Sequence, residues 1–392
     1  MEYKKLGHIA KIQTGPFGSQ LHQSDYKPTG IPCIMPCNIG SNLNIICDNI
    51  AYISEEDLNR LAKHKTQEGD IVYSRRGDIE KCAYISSRES GWLCGTGCLK
   101  VSIDSTIALP KYVAYLLSTP ESKAWLVGNA VGTTMLNLNT TVLSDFPICL
   151  PDLDTQQKVV EIIDSIADKI ELNKRINDNL EQQAQAAFNN IIAHYSECET
   201  INLSEIAVLN PKRTIAKGTL ARSIEMAQLP TSGSFPAGWD MKEYNGGMKF
   251  QNGDTLMARI TPCLENGKVA YINFLEENEV AFGSTEYIVI ASKGVIAPEV
   301  FYFLTRYNDF VDFAVKNMNG SSGRQRVSAE TIGTYKLPVI SPEDLVILET
   351  IAKEALNKIK YNSLENIRLS EIRDTLLPKL MSGQLKINEI DC

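Results

Sequence analysis

The same helical stripe occurs twice in this sequence, and this repeat restricts the possible folds more than any other feature. Residues 170–180 read IELNKRINDNL, and residues 359–369, which lie 189 positions later, read IKYNSLENIRL. Ile, Asn, Asn and Leu fill the same positions in both stretches. The apolar residues on either side continue the seven-residue repeat of a coiled-coil seam. The sequence therefore predicts two long helices that pack against each other.

Two asparagines interrupt each apolar seam near its middle. They are Asn173 and Asn177 in the first seam and Asn362 and Asn366 in the second. A buried polar layer lowers stability but disfavours slipped registers, because a shift would leave each amide against an apolar side chain. We predict that the helices pair antiparallel and that the asparagines fix their register. A solvated bend with no preferred partner is the alternative interpretation.

Both helical segments carry signals for where a helix starts or stops. The first begins with an acid, Asp154, and the second begins with Ser341-Pro342, which places proline at the first helical position. Pro378 and Gly383 are predicted to end the second helix.

The blocks that precede the two helices also resemble each other. GDIVYSRRGDIEKCAYI (69–85) is similar to GDTLMARITPCLENGKVAYI (253–272), LPKYVAYLL (109–117) to APEVFYFLT (297–305), and VGTTMLNLN (131–139) to NGSSGRQRVS (319–328). An internal duplication explains this order. We predict an α+β fold in which two mixed α/β domains, 1–153 and 196–340, are separated by long antiparallel coiled-coil helices, 154–195 and 341–392. The two halves would be related by a pseudo-two-fold repeat.

Charge is distributed unevenly along the chain. The net charge is −8, which by itself argues against a nucleic-acid partner. However, Lys plus Arg and Asp plus Glu number 14 each within 1–150 and again within 201–340, whereas 151–200 holds 4 basic and 10 acidic residues. The acidity therefore lies in the helical segments, and both neutral blocks remain free to present local basic surfaces.

No segment has the features of a membrane span or a secretion signal, so we expect a cytoplasmic protein. Its ten cysteines are then expected to be reduced. Cys33 and Cys37 are four residues apart, as are Cys94 and Cys98, so a four-thiolate zinc site is one alternative. Ordinary buried or free thiols are the other, and we predict no metal site.

Motifs for catalysis are missing from the sequence. It contains no phosphate-binding Walker loop, no GxGxxG and no HExxH. Asn210-Pro211 continues into Lys212 without the second proline and aromatic residue that an amino-methyltransferase would carry. His8, His22, His64 and His194 share no metal-ligand spacing. We predict no catalytic residues, and we expect any chemistry to belong to a partner.

Basic and hydroxyl residues recur at matching places in the two neutral blocks. Arginine and glutamine can form two hydrogen bonds with a base edge, while lysine, serine and threonine can donate hydrogen bonds to phosphate oxygens. The predicted DNA-binding residues are Ser19, Arg75, Arg76, Lys81, Thr133 and Thr134 in the first block, and Lys212, Arg213, Arg259, Lys268, Ser321, Ser322, Arg324, Gln325 and Arg326 in the second.

Several of these motifs resemble one family, the specificity subunits of type I restriction–modification enzymes. The resemblance covers essentially the whole chain. It is carried by KLGHIAKIQTGPFGS at the start, by the repeated blocks, by the entry to the first helix in LDTQQKVVEIID, and by IRDTLLPKLMSGQL near the end. The first helix ends AAFNNIIAHY instead, so one repeat departs from the pattern.

The resemblance implies a non-catalytic DNA-binding role in a restriction system. Each target-recognition domain would read one half of a bipartite double-stranded DNA target, and the helices would set the spacing and dock modification (methyltransferase) subunits, of which two are expected. Those subunits would methylate adenine with S-adenosylmethionine, and restriction subunits would translocate and cleave DNA with ATP and magnesium, so this chain itself needs no cofactor. A coiled-coil adaptor without a DNA role and a self-contained modification or restriction enzyme are the alternatives.

Overall fold

The computed structural model describes residues 3–132, 136–321 and 323–385, which form two compact units. The first unit comprises Met1–Asp168 and Ser370–Cys392, and the second comprises Lys169–Leu369. Each unit therefore contains part of both long helices. No helix among the described residues combines the length and the apolar character that crossing a bilayer requires.

The first unit is built on antiparallel strands with short helices beside them. In chain order its elements are β1 (Lys4–Lys5), β2 (Ala10–Thr14), β3 (Ile31–Ile34), β4 (Ala51–Ile53), α1 (Glu55–Arg60), β5 (Ile71–Ser74), β6 (Cys82–Tyr84), β7 (Leu93–Cys94), β8 (Cys98–Ile103), α2 (Pro110–Leu117), α3 (Pro120–Asn129), α4 (Thr140–Ser144), β9 (Pro147–Ile148) and the start of α5 (Leu153–His194).

The second unit repeats most of this order, with β14 in the place of α1 and with an added short helix, α6. Its elements are β10 (Thr200–Asn202), α6 (Leu203–Ile206), β11 (Ala207–Leu209), β12 (Leu220–Ile224), β13 (Asp240–Glu243), β14 (Met248–Phe250), β15 (Thr255–Ala258), β16 (Val269–Tyr271), β17 (Ala281–Gly283), β18 (Tyr287–Ser292), α7 (Pro298–Thr305), α8 (Asn308–Lys316), α9 (Ala329–Gly333), β19 (Lys336–Pro338) and most of α10 (Pro342–Met381).

Strand order gives the clearest evidence of duplication. The main sheet runs β2-β8-β5-β6 in the first unit and β11-β18-β15-β16 in the second. A second sheet pairs β3 with β4 antiparallel and with β7 parallel, as β12 pairs with β13 and β17. The predicted α+β class with an internal repeat is confirmed. All residues of β5 and β15 are buried, because the second sheet packs against one face of each strand and helices pack against the other.

The long helices begin at side-chain caps. The Asp152 carboxylate accepts a hydrogen bond from the Thr155 amide at 2.8 Å, and the Ser341 hydroxyl accepts one from the Asp344 amide at 3.2 Å. The prediction that Pro378 ends the second helix is wrong, since α10 continues to Met381. Proline removes only one amide donor there, and the Ser382 amide still donates to the Pro378 carbonyl at 2.9 Å.

The two helices run antiparallel within the second unit, and the asparagines meet there. Nδ2 of Asn173 donates to Oδ1 of Asn366 at 2.9 Å, and Nδ2 of Asn362 donates to Oδ1 of Asn177 at 2.8 Å. These two bonds are equivalent under the 189-residue repeat. Asn173 is 1% exposed and Asn362 is 3% exposed, which is incompatible with a solvated bend at these positions.

In the first unit the same helix pair is held by apolar contacts. Val159, Val160 and Ile163 of α5 share one buried cluster with Leu377 and Leu380 of α10. Tyr112 and Tyr115 of α2 join this cluster. Hydrophobic burial therefore attaches the helices to the first unit, whereas the second unit adds a polar layer between them.

The cysteines considered as a zinc site lie in unsuitable surroundings. Cys33, Cys94 and Cys98 are buried, whereas Cys37 is exposed. Burial raises the pKa of Cys33 to about 12, and the adjacent Cys94 together with burial raises the pKa of Cys98 well above its ordinary value. Within the described ranges no group of three or more His, Cys, Asp or Glu could hold a metal ion.

Candidate nucleic-acid interface

Each unit places an arginine at the same point, directly after the central strand of its main sheet. The Arg75 amide donates to the Gly97 carbonyl at 2.8 Å, and the Arg259 amide donates to the Glu286 carbonyl at 3.0 Å. The carbonyl of Arg75 accepts from the Leu138 amide at 2.9 Å, just as the carbonyl of Arg259 accepts from the Val327 amide at 3.0 Å. The two arginines are therefore structural equivalents.

Beside each arginine lies a loop closed by its own backbone. In the first loop (residues 131–137) the Val131 and Asn137 amides donate to each other's carbonyls at 3.1 and 2.9 Å. In the second loop (residues 319–326) Asn319 and Arg326 exchange the same pair of bonds at 2.9 Å each. The predicted residues Thr133, Thr134 and Ser322 belong to these loops but lie outside the described residues.

The second loop needs glycine at its first turn. Gly320 has a φ of +132°, and an added Cβ would lie 3.1 Å from the Arg324 carbonyl oxygen. A side chain there would both strain the backbone and press against the loop. After this turn the chain presents Ser321 and Arg324 to solvent, and the Arg324 amide donates to the Ser321 carbonyl at 3.0 Å. Gln325 is half-buried, and its carbonyl accepts from the Thr261 amide at 3.0 Å.

The site of the first unit carries positive charge that no described acidic side chain neutralises. Arg76 is exposed, and Arg75 lies over the ring of Phe17 at 5.8 Å. Neither arginine forms an ion pair with any residue that the structure describes. Lys81 pairs with Asp78 at 3.0 Å, but both side chains are well exposed, so the pair is weak. Ser19 is exposed in the loop that follows β2.

The site of the second unit instead contains a carboxylate between two arginines. Nε of Arg326 donates to both oxygens of Glu286, at 3.0 and 2.8 Å, and Nη2 donates to Oε1 at 2.7 Å. Nε of Arg259 lies 3.6 Å from Oε2 of the same residue. The Arg326 hydrogen bonds lower the pKa of Glu286, so this side chain is ionised at neutral pH.

Three of the predicted residues in the second block lie elsewhere or are already bonded. Arg213 is 12% exposed and forms an ion pair with Asp254 at 2.5 Å. Asp254 lies directly before β15, whereas Arg259 directly follows the end of that strand. Nζ of Lys268 donates to the Met226 carbonyl at 2.7 Å. Lys212 is exposed beside Arg213. We therefore exclude Arg213 and Lys268 from the interface proposed below.

Sequence reasoning did not select two residues of these sites, Phe17 and Glu286. Phe17 is 52% exposed although it is large and apolar, and it lies in the quoted stretch GPFGS. The structural repeat aligns Glu286 with Gly97, directly before β18 and β8. A single acid before a strand carries no sequence signal, so only the alignment of the two folds identifies it.

Comparison with known proteins agrees with this arrangement. A family model described as the type I restriction modification DNA specificity domain matches residues 1–182. The HindI specificity subunit of Haemophilus influenzae is 21% identical over 434 aligned positions, covering 90% of this chain and 95% of that protein. The MjaIX specificity subunit of Methanocaldococcus jannaschii is 20% identical, covering 99% of this chain and 94% of that protein.

A solved structure supports the fold. The S subunit of a type I restriction–modification system from M. genitalium matches with a TM-score of 0.58 at 17% identity, covering 97% of this chain and 95% of that chain. The chain matches the DNA specificity domain of type I restriction–modification systems over residues 1–182, and relatives that align with nearly its whole length are specificity subunits of such systems. Within such a system it is the specificity subunit, which recognises DNA and is not an enzyme. Its family implies that it acts together with DNA and with other subunits of the system.

Proposed function

We propose that each half of this specificity subunit reads one half of a bipartite double-stranded DNA target. The recognition domains are residues 1–153 and 196–340, and the long helices α5 and α10 set the unread gap between the half-sites. The observation that carries this proposal is the repeated site, in which Arg75 and Arg259 occupy equivalent backbone positions beside equivalent loops. One DNA-reading scaffold used twice accounts for that repetition.

The side chains at these sites suit DNA. Arg76 and Arg324 are exposed, and arginine can donate two hydrogen bonds to the O6 and N7 acceptors of guanine. Ser19 and Ser321 are exposed hydroxyl residues that suit phosphate oxygens. Phe17 offers an aromatic face beside Arg75. We assign the base contacts to the arginines and the positioning contacts to the hydroxyl groups and backbone amides.

The helices are the proposed docking surface for modification subunits, of which we expect two. Most of the net negative charge lies in the segment of the first helix, where 151–200 holds 4 basic and 10 acidic residues, and an acidic surface suits protein better than DNA. They also expose several large apolar side chains: Leu172, Val346, Ile347, Tyr361 and Ile372 are each 48–62% exposed. Restriction subunits would join this complex, and S-adenosylmethionine, ATP and magnesium would bind to the partners.

A methylome comparison tests the proposal directly. Genomic DNA from the source cell, with and without this gene, is read by single-molecule sequencing that detects N6-methyladenine. We expect methylation at one split motif to disappear with the gene, which would reveal both half-sites and the gap. An unchanged methylome in a cell whose modification subunits are expressed would contradict the proposed role.

DNA affinity should depend on the partners. Because the net charge is −8, the chain alone makes few favourable phosphate contacts, so we expect weak and salt-sensitive binding to a duplex containing the motif. Fluorescence anisotropy with labelled duplex at two salt concentrations measures this. Tight, sequence-specific binding by the chain alone at physiological salt would contradict the proposal that this chain supplies base recognition while its partners supply most of the affinity for phosphate.

A further inference from the structure

The carboxylate of Glu286 stands at the DNA-reading site of the second unit, where negative charge is unexpected. It lies beside Arg259 and Arg326, and its side chain is 24% exposed. Its backbone is also fixed, since its carbonyl accepts from the Arg259 amide at 3.0 Å and its amide donates to the Ser284 hydroxyl at 3.1 Å. A carboxylate opposes phosphate, so its presence here needs an explanation other than DNA affinity.

The geometry of Arg326 explains why a carboxylate lies at this site. Glu286 accepts from Nε and Nη2, the pair of donors along one side of the guanidinium, and Nη1 donates to the Arg324 carbonyl at 3.2 Å. Arginine has five N–H donors in a rigid plane. These contacts leave one N–H on each of Nη1 and Nη2, and the Arg326 side chain is 38% exposed. The group is held in one orientation while two neighbouring donors stay free.

We propose that Glu286 is a positioning residue that fixes Arg326 for end-on contact with a guanine, so that the second half-site contains a G·C pair read by Arg326. The O6 and N7 atoms of guanine are two adjacent acceptors in the major groove, and a planar pair of N–H donors matches them. Holding the guanidinium in advance reduces the side-chain entropy lost on binding. This inference rests on the proposed function, since it requires the second unit to read DNA.

In the described part of the first unit, no ion pair corresponds to that between Glu286 and Arg326. The positions that correspond to Glu286 and Arg326 are Gly97 and Asn137, as their matching backbone bonds show. Neither residue is charged. Loss of Glu286 should therefore affect one half-site only, which separates positioning from a general effect on folding.

The test uses the full chain co-expressed with its modification subunits in a host without other adenine methylation. The variants are Glu286→Ala, Glu286→Gln, Glu286→Asp and Arg326→Ala. Glu279→Ala is the matched control, because Glu279 also pairs with an arginine, Arg222, at 3.4 Å and is 21% exposed. Thermal unfolding of each variant checks the fold, and Glu286→Gln keeps the side-chain shape if the alanine variant does not fold.

We expect Glu286→Ala and Arg326→Ala to lower the preference for the same G·C pair by about 10- to 100-fold. Glu286→Asp should retain part of the preference, and Glu279→Ala should retain all of it. The other half-site should keep its bases in every variant. An unchanged motif, an equal loss at both half-sites, or a relaxed position that is not a G·C pair would overturn the inference. A wild-type chain that directs no split motif would instead contradict the proposed function.

Discussion

The two proposed reading sites have the same backbone arrangement but different side-chain chemistry. In the first unit Arg75 and Arg76 carry charge that no described acid neutralises, and Phe17 supplies an aromatic surface. In the second unit Glu286 binds Arg326 and lies beside Arg259. The strands and loop closures that place these residues are equivalent. Duplication has thus preserved the scaffold while the reading surface diverged, as two unlike half-sites would require.

The helix pair shows a second difference between the units. In the first unit the helices share an apolar cluster around Ile163 and Leu377, whereas in the second unit buried asparagines bond across the pair. Apolar packing adds stability without defining one register, while paired amides tolerate no shift. We therefore propose that the polar layer specifies the alignment of the helix pair, whereas the apolar cluster contributes stability.

Changing the length of both helices should have the largest effect. We would insert one seven-residue repeat between Asp168 and Lys169 and another between Leu369 and Ser370, where the chain passes between the two units. Each insertion adds about 10 Å of helix, which is roughly three base pairs at about 3.4 Å each. Methylation at the original motif should be lost, and any motif that replaces it should keep both half-sites with a longer gap. Methylation that persists at the original gap would contradict a spacing role.

Single arginine substitutions should separate the two reading sites. Arg76→Ala should relax a base in one half-site and Arg324→Ala a base in the other, each by about 10- to 100-fold, the usual effect of losing a bidentate base contact. The readout is the methylated motif in cells. Lys217→Ala, at an exposed position of the second unit outside the long helices and the proposed site, is the control and should leave both half-sites unchanged. If both site variants altered the same half-site, the assignment of one half-site to each unit would be wrong.

The asparagine layer should respond differently to one substitution and to four. Asn177→Leu leaves the buried Nδ2 of Asn362 without its acceptor, which should cost about 1–3 kcal/mol of unfolding free energy. Leucine at all four positions removes donors and acceptors together, so the melting temperature should stay the same or rise, while hydrogen exchange along the helices increases. Asn190→Leu, at an exposed position of α5, should have little effect. A large loss of stability in the fourfold variant would contradict the register interpretation.

The smallest expected effect is a pH dependence confined to the second unit. Because Arg326 lowers the pKa of Glu286 below its ordinary value of 4.5, the ion pair contributes stability above that value. The contribution is lost as pH falls through the lowered pKa. The melting temperature of the wild type should therefore exceed that of Glu286→Gln at neutral pH, and the difference should shrink below about pH 4.5. High salt should reduce it further. A difference that grows as pH falls would show that the carboxylate is not stabilised by the arginine.

The helices and the duplicated order of elements could be predicted from the sequence because their signals are local. The seven-residue apolar repeat around Ile170 and Ile359 is visible in the printed residues, and the helix-start residues lie within one turn of the observed starts. Pro378 was misleading, since α10 continues past it to Met381 although proline lacks the amide that would bond to the carbonyl four residues earlier.

Whether each arginine is free or forms an ion pair could not be predicted from the sequence in this way. Arg326 meets Glu286 across 40 positions, and Arg213 meets Asp254 across 41. Ion pairs of this kind depend on which strands are neighbours in the sheet, and no local pattern encodes that. The sequence by itself determined that two similar blocks of balanced charge alternate with two helices that share an asparagine-marked seam. Only the tertiary structure decided which arginines stay free to bind DNA, because charge neutralisation depends on distance in space and not on distance along the chain.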